Sequence, residues 1–295
     1  MKIKPVIIVP LAFILLFGLF AGLILFVGSK SSGNKGFSRT DKIGVIEVIG
    51  PITQSKQIIA DLKSFERNTK VKAVVLRVDS PGGGVGPSQE IYAAVKALKN
   101  KPVIVSMGSV AASGGYYIAA PATHIFANPG TITGSIGVIM EFPDIAALLE
   151  KIGLHRRVIK SGTFKDIGSP VRDMTSEEQA LLQGVIDDVY AQFVAAVAIG
   201  RDLEPAVVRK LADGRIFSGS QAKEAGLVDE LGGLQVAIEY AARRVGIDGD
   251  PEVIYPEPER VSLLDLFLQH TTSSLQQYLH QAESAQLHML WKANN

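Results

Sequence analysis

A long uncharged stretch at the N-terminus constrains this chain more than any other feature. From Pro5 to Gly28 no residue is charged, and nearly all are Leu, Ile, Val, Phe, Ala or Gly. At a helical rise of about 1.5 Å per residue, this stretch is long enough to cross a hydrocarbon layer of roughly 30 Å. The sequence therefore predicts a transmembrane anchor at 5–28, preceded by a cytoplasmic N-terminus at 1–4.

A cleaved signal peptide is the alternative interpretation of the same stretch, although its apolar region usually spans only about 7–15 residues. Lys2 and Lys4 precede the stretch, but Lys30 and Lys35 follow it, so the positive-inside rule is not decisive. Because a leading span usually follows its N-terminal charges, we expect the bulk of the chain outside the cytoplasm. Residues 29–41 are polar and are interpreted as a linker.

The composition excludes several classes of site. A net charge of +1 provides no broad basic field for nucleic acid. The absence of cysteine excludes disulfides, thiolate catalysis and Cys-based zinc sites. Three of only five histidines lie in the last thirty residues, which leaves few donors for a histidine metal centre. We expect neither a cofactor nor a bound metal.

Between residues 42 and 248, short β-branched stretches alternate with amphipathic ones. The predicted strands are 43–49, 73–78, 102–107, 125–127, 136–140 and 155–159, and one of the intervening helices is predicted at 111–120. This alternation is typical of βαβ units, so the predicted fold class is α/β with a mostly parallel sheet. Helices dominate after residue 176, and residues 249–295 are interpreted as a peripheral C-terminal tail.

Two glycine-rich loops follow predicted buried strands. The first, 79–84, reads Asp-Ser-Pro-Gly-Gly-Gly and matches neither the P-loop nor the dinucleotide-binding pattern. It is either a structural turn or a place where backbone N–H groups meet an anion. The second, 108–117, surrounds Ser113 with small residues. Ser113 could be a nucleophile with room for an acyl group, or it could simply cap a helix.

A nucleophilic serine needs a base, and the sequence offers two candidates. His124 lies at the edge of a predicted strand with no evident partner, which is more typical of a structural histidine. Lys165 lies in a turn of small residues, between Phe164 and Asp166. A lysine acts as a base only when burial lowers its pKa towards neutrality. From the residues alone, Lys165 is more typical of a solvated loop lysine than of a base.

Taken together and in order, the segments 79–85, 108–117, 131–138 and 161–170 resemble signal peptide peptidase A in its short, single-repeat bacterial form. This group belongs to peptidase family S49 and to the Clp protease/crotonase-like superfamily. The resemblance extends from about 43 to 233 and implies a crotonase-like fold of repeated ββα units, with a peptidase domain at 42–248. Four ordered motifs are far more specific than any one of them.

The resemblance assigns roles by position. It implies that Ser113 is the nucleophile and Lys165 the general base. Ser135, in Thr-Gly-Ser-Ile-Gly, matches a serine that hydrogen-bonds the lysine and orients it. Gly83 and Gly114 match the two glycines whose N–H groups form the oxyanion hole.

A Ser-His-Asp triad of the Clp type is not expected, because the place of its histidine is taken here by Val138. The resemblance instead implies a Ser/Lys dyad in a homo-oligomer, an octamer, in which the serine and the lysine come from neighbouring subunits. It also implies that a tail in some members reaches a neighbour's cleft.

The implied function is a membrane-anchored serine endopeptidase that degrades remnant signal peptides, with its catalytic domain on the periplasmic side of the bacterial cytoplasmic membrane. Three alternatives stay open at this point. One is a related Ser/Lys peptidase that acts on a specific membrane protein. The second is a non-catalytic crotonase-like scaffold that binds peptide, and the third is an acyl-CoA enzyme with the same fold.

Overall fold

The computed structural model describes residues 41–257 and the backbone of residues 288–290. The predicted anchor at 5–28 lies outside the described residues, as do all but the last residue of the linker and most of the tail. The described part is a mixed α/β structure with a mostly parallel sheet, as the sequence predicts.

Eight strands form the main sheet, and two short strands form a separate antiparallel pair. The ten strands are β1 (Lys42–Ile49), β2 (Val71–Ser80), β3 (Gly82–Gly84), β4 (Val103–Ala112), β5 (His124–Ala127), β6 (Ile132–Gly134), β7 (Ile216–Ser218), β8 (Glu230–Leu231), β9 (Glu252–Ile254) and β10 (His288–Leu290). The main path through the sheet runs β7-β6-β4-β2-β1-β9, and every pair in the main sheet is parallel except β6–β7. The separate pair is β3 with β10.

Strand β4 changes partner along its length. Its first half pairs with β5, beginning at Ile104 and His124, and its last three residues pair with β6. The two halves therefore have different neighbours, and the end of β4 lies between β2 and β6.

Helices cover both faces of the sheet. They are α1 (Lys56–Arg67), α2 (Val85–Ala97), α3 (Gly114–Ala119), α4 (Ala146–Lys151), α5 (Ser176–Arg201), α6 (Pro205–Leu211), α7 (Gly219–Glu224) and α8 (Leu234–Arg244). Alternate residues of β2 face opposite cores: Leu76 and Val78 join the core beneath α2, α3 and α5, whereas Val75 joins a smaller core beneath α8. Burial on both faces is the reason that β2 is almost continuously hydrophobic.

The longest described helix, α5, has the length and apolar composition that a membrane span requires. Its C-terminal half, however, packs into the larger core, where Phe193 and Val197 are fully buried. The ring of Phe193 lies 4.8 Å from that of Tyr117 on α3. This half of α5 is therefore a core helix that supports α3.

Three local predictions are wrong. No strand forms at 136–140 or at 155–159, where the chain is irregular. Ile136 is buried and the rest of 136–140 is half-buried or exposed, whereas all of 155–159 is exposed. The helix predicted at 111–120 begins only at Gly114, because β4 continues through Ala111 and Ala112. The extension is stabilised on both sides, since Ala111 pairs with Ser80 of β2 and with Thr133 of β6.

Two glycines of α5 test how closely this helix packs. A Cβ on Gly200 would lie 2.2 Å from the backbone oxygen of Ala120, whereas a Cβ on Gly184 would meet nothing within 4 Å. We predict that Gly200→Ala lowers the free energy of unfolding by about 1–3 kcal/mol through overpacking. Gly184→Ala should raise it by roughly 0.5–1 kcal/mol, because alanine loses less backbone entropy. Denaturant unfolding of the full chain, followed by circular dichroism, measures both, and equal effects would contradict the packing of α5.

Candidate active site

Ser113 lies at the junction between β4 and α3, in a backbone conformation that is rare for serine. Its φ of 54° and ψ of −118° correspond to the first central position of a type II′ turn, which glycine usually occupies. Such a conformation costs on the order of 1–3 kcal/mol and persists only where the surroundings enforce it. Here the N–H of Ser113 donates to the carbonyl oxygen of Gly134 on β6, at 2.8 Å. Ser113 is almost fully buried.

Two glycines bring separate backbone segments into contact beside Ser113. A Cβ on Gly114 would lie 2.6 Å from Oγ of Ser88 and 3.1 Å from the backbone nitrogen of Gly83. A Cβ on Gly83 would lie 2.2 Å from the carbonyl oxygen of Ile52. Side chains at either position would force the segments apart, so the close approach requires glycine at both.

The backbone N–H groups of these glycines are not bound by Ile52 or by the first turn of α3. Ile52 binds the residues on either side of Gly83, donating to Gly82 O and accepting from Gly84 N–H, each at 2.8 Å. Because successive residues of a strand direct their N–H groups to opposite edges, the N–H of Gly83 faces away from Ile52. Gly114 is the first residue of α3, where N–H groups lack intrahelical acceptors. Two donors therefore lie next to Ser113.

The edge of β3 that faces away from Ile52 is paired with the C-terminal strand β10. The pairing is antiparallel, with Met289 opposite Gly83 and with Gly82 and Gly84 opposite the flanking residues. An extended peptide segment can therefore add to β3 directly beside Ser113. This mode of recognition uses main-chain hydrogen bonds and is common in peptide-binding proteins.

Ser135 also lies at this place. It is the second serine with a positive φ, at 50°, and its N–H donates to the carbonyl oxygen of Arg215 at 2.8 Å. The preceding residue is Gly134, whose carbonyl oxygen holds Ser113. One turn after β6 thus connects the two serines, and both are buried. The structure brings together four of the five predicted site residues: Ser113, Ser135, Gly83 and Gly114.

Lys165 is the exception, because it lies in the exposed first half of a turn at 161–169. Its backbone N–H donates to Gly162 O at 3.2 Å. Within the part of the chain that the structure describes, its ammonium group forms no hydrogen bond or ion pair, and Oγ of Ser113 forms no hydrogen bond. A single chain therefore does not join the predicted nucleophile to the predicted base.

The turn that carries Lys165 is part of a long exposed segment, residues 137–177, in which no residue is buried. The segment nevertheless carries many large apolar side chains that are at least one-third exposed: Ile139, Ile145, Leu148, Ile152, Leu154, Val158, Ile159, Phe164 and Met174. Exposed apolar surface on this scale is typical of a protein–protein contact.

The carboxylate of Asp166, the residue after Lys165, is bound by two cations. Nη2 of Arg172 lies 2.8 Å and Nζ of Lys160 lies 2.6 Å from its Oδ1. Hydrogen bonds from Arg172 and then Lys160 hold the pKa of this carboxyl far below its usual range. No sequence pattern points to Arg172, because a lone arginine in an irregular segment gives no periodic signal.

The alternative base, His124, lies elsewhere. It pairs with Ile104 near the start of β4, whereas Ser113 follows the end of that strand. Its ring stacks on Tyr240 at 4.3 Å, and its Nε2 lies 3.4 Å from a carboxylate oxygen of Glu230. These contacts are those of a structural histidine.

Comparisons with known proteins identify the family. The sequence profile of peptidase family S49 matches residues 96–248. A candidate protease of Synechocystis sp. is 50% identical over 216 residues, which cover 72% of this chain and 78% of that protein. A candidate protease of Methanocaldococcus jannaschii is 36% identical over 267 residues, 85% of this chain and 86% of that protein. A candidate signal peptide peptidase SppA of Enterococcus faecium is 41% identical over 186 residues, 62% of this chain and 54% of that protein.

The contact between Gly114 and Ser88 gives a test of the site's packing. Oγ of Ser88 lies only 2.6 Å from the place of a Cβ on residue 114, and it donates to Gly84 O at 2.8 Å. We predict that Gly114→Ala lowers the free energy of unfolding by about 1–3 kcal/mol. The effects of substitutions at contacting residues are not additive. Adding Ser88→Ala to Gly114→Ala should therefore recover at least about 0.5 kcal/mol of the lost free energy of unfolding. Additive effects of the two substitutions in unfolding experiments would contradict the close approach.

Proposed function

The chain belongs to peptidase family S49, and from this premise we propose that it is a serine peptidase in which Ser113 is the nucleophile and Lys165 the general base. The observation that carries the proposal is the environment of Ser113. The serine has a strained backbone, is buried, and lies beside Gly83, whose N–H faces the edge of β3 that pairs with β10, and beside Gly114, the first residue of α3. This combination suits acyl transfer, because the hydroxyl is held rigidly next to donors for a developing negative charge.

The proposed reaction begins when neutral Lys165 takes the proton of the Ser113 hydroxyl and Oγ attacks the peptide carbonyl carbon. The N–H groups of Gly83 and Gly114 donate to the resulting oxyanion, a contribution of roughly 3–4 kcal/mol for one donor in comparable sites. Lys165 then protonates the leaving amine and activates water for deacylation. In this proposal Ser135 orients the lysine, and its position beside Ser113 supports that role.

Lys165 reaches Ser113, we infer, only in an assembly of identical subunits. A lysine base must be buried, yet Lys165 is exposed in the single chain. The apolar side chains around its turn would be covered by a second copy, and the same contact would bury the lysine. Closed rings are formed by repeating one such contact. An octamer is the assembly that the family resemblance implies.

The substrate, in this proposal, is a peptide that binds in extended form along β3. The β3–β10 pairing supports this, because it shows the edge occupied by an extended segment in antiparallel register. Remnant signal peptides are the proposed physiological class, in keeping with the name of the Enterococcus faecium relative. The uncharged stretch at 5–28 would anchor the enzyme in the bacterial cytoplasmic membrane, with the peptidase domain at 42–248 on its periplasmic side.

The dyad and its origin in two subunits can be tested together. We predict that Ser113→Ala and Lys165→Ala each lower peptidase activity at least about a thousandfold. When the two inactive variants are co-expressed and assemble at random, about one quarter of the sites should combine an intact serine with an intact lysine. Activity on a fluorogenic peptide should therefore recover to about that fraction of the wild-type value.

Matched controls are available for this experiment. Ser109 on β4 and Lys63 on α1 are both exposed, and their alanine variants should keep wild-type activity. An active Lys165→Ala enzyme would contradict the dyad. A wild-type protein that does not cleave the peptide would instead leave the non-catalytic and acyl-CoA alternatives to be tested. Inactive single variants that do not complement each other would instead place both groups within one subunit.

The position of the substrate gives a further prediction. If peptides bind along β3, strand β10 competes with them for the same edge. Removing residues 288–295 should therefore lower KM for an extended peptide at least about threefold, since the binding-competent fraction rises. Removing only 291–295 keeps the strand and should change KM little. An unchanged KM after the longer truncation would contradict binding along this edge.

A further inference from the structure

Arg172 connects the turn that carries Lys165 to the rest of the fold. Its Nε lies 3.1 Å from Oδ2 of Asp166 and its Nη2 lies 2.8 Å from Oδ1, so the guanidinium binds the carboxylate through two parallel hydrogen bonds. Nη2 also donates to the backbone oxygen of Asp166 at 3.2 Å. Bidentate pairing of this kind fixes orientation as well as distance. The residue next to Lys165 is therefore held at both its side chain and its backbone.

The same guanidinium also binds Glu178, in the first turn of α5. Nη1 of Arg172 lies 2.8 Å from Oε2 of Glu178, and Nη2 binds the other carboxylate oxygen. Glu178 is almost fully buried and closes a capping box with Thr175. Because α5 packs into the core at its other end, Arg172 ties the lysine turn to a rigid element.

The charges at this place are mutually compensated. Arg172 and Lys160 face Asp166, and Arg172 faces Glu178. Hydrogen bonds from Arg172, and then from the backbone of Thr175, lower the pKa of Glu178 to about 2. Both carboxylates therefore stay ionised and paired at neutral pH, and neither is left to attract the ammonium form of Lys165.

We propose that Arg172 is a positioning residue for Lys165, which holds the lysine turn against α5 and engages the neighbouring Asp166 carboxylate so that the lysine can act as a neutral base. This inference rests on the proposed dyad. Without Arg172, only Lys160 would still bind the Asp166 carboxylate. Lys160 lies on the same exposed segment, so it does not connect the turn to α5. A carboxylate freed beside Lys165 would favour the protonated lysine, which cannot accept the proton of Ser113.

The test is the pH dependence of kcat/KM for the full-length enzyme with a fluorogenic peptide. In Arg172→Gln the acidic limb of the profile should move to higher pH by on the order of one unit, and activity at pH 7 should fall about tenfold or more. Adding Asp166→Asn removes the freed carboxylate and should return the limb towards its wild-type position. Arg172→Lys keeps the positive charge but loses the two parallel hydrogen bonds of the guanidinium. It should therefore shift the acidic limb less than Arg172→Gln does.

Arg243 on α8 is exposed and distant in sequence from the turn, and Arg243→Gln should leave the profile unchanged. If Arg172→Gln lowers activity without moving the limb, Arg172 is only a structural anchor and the inference is overturned. If Arg172→Gln does not fold, the single variant Asp166→Asn is the test. An acidic limb of its kcat/KM profile at or below the wild-type pH supports the inference, and an acidic limb at higher pH overturns it. An active Lys165→Ala enzyme, by contrast, would refute the dyad itself.

Discussion

The close approach of backbone at Gly83 and Gly114 is the constraint on which the site depends. A side chain at either glycine would overlap neighbouring atoms at 2.2–2.6 Å. The loop after β2 and the start of α3 can therefore approach this closely only with glycine at both positions. Their meeting leaves two N–H donors beside Ser113 and keeps this serine in a conformation that glycine normally adopts. The hydrogen bond from Ser113 to Gly134 extends the constraint to β6, and through it to Ser135.

The proposed base, by contrast, lies on an exposed segment. Residues 137–177 contain no buried residue, yet they carry the proposed base together with many exposed apolar side chains. A preformed nucleophile and an exposed base fit an enzyme that becomes active only on assembly, since the same contact would bury Lys165 and cover the apolar surface. Such coupling would keep an unassembled subunit from hydrolysing peptides. Arg172 gives the exposed segment one fixed point, through Glu178 and α5.

Much of the sheet could be predicted from the sequence, because parallel strands buried on both faces are continuous apolar stretches such as 73–78. The predictions failed where burial depends on something beyond the local sequence. The apolar residues of 136–140 and 155–159 suggest strands, but β-propensity reflects packing on a half-buried surface, and Ile139 and Ile159 are exposed in the single chain. The small residues Ala111 and Ala112 suggest a helix, yet pairing with β2 and β6 keeps them extended. The glycine-rich loop indicated Ser113 as one candidate, and Gly114 was assigned only by the family resemblance. The proposed role of Arg172 depends on contacts that no sequence pattern encodes.

The central claim is that one subunit supplies the serine and another the lysine. The most direct measurement is the distance between Oγ of Ser113 and Nζ of Lys165 in an experimental structure of the assembled full-length protein. We predict that these atoms lie within about 3.2 Å of each other and belong to different copies. A Lys165 that remains in solvent in the assembly, or that reaches Ser113 of its own chain, would contradict it.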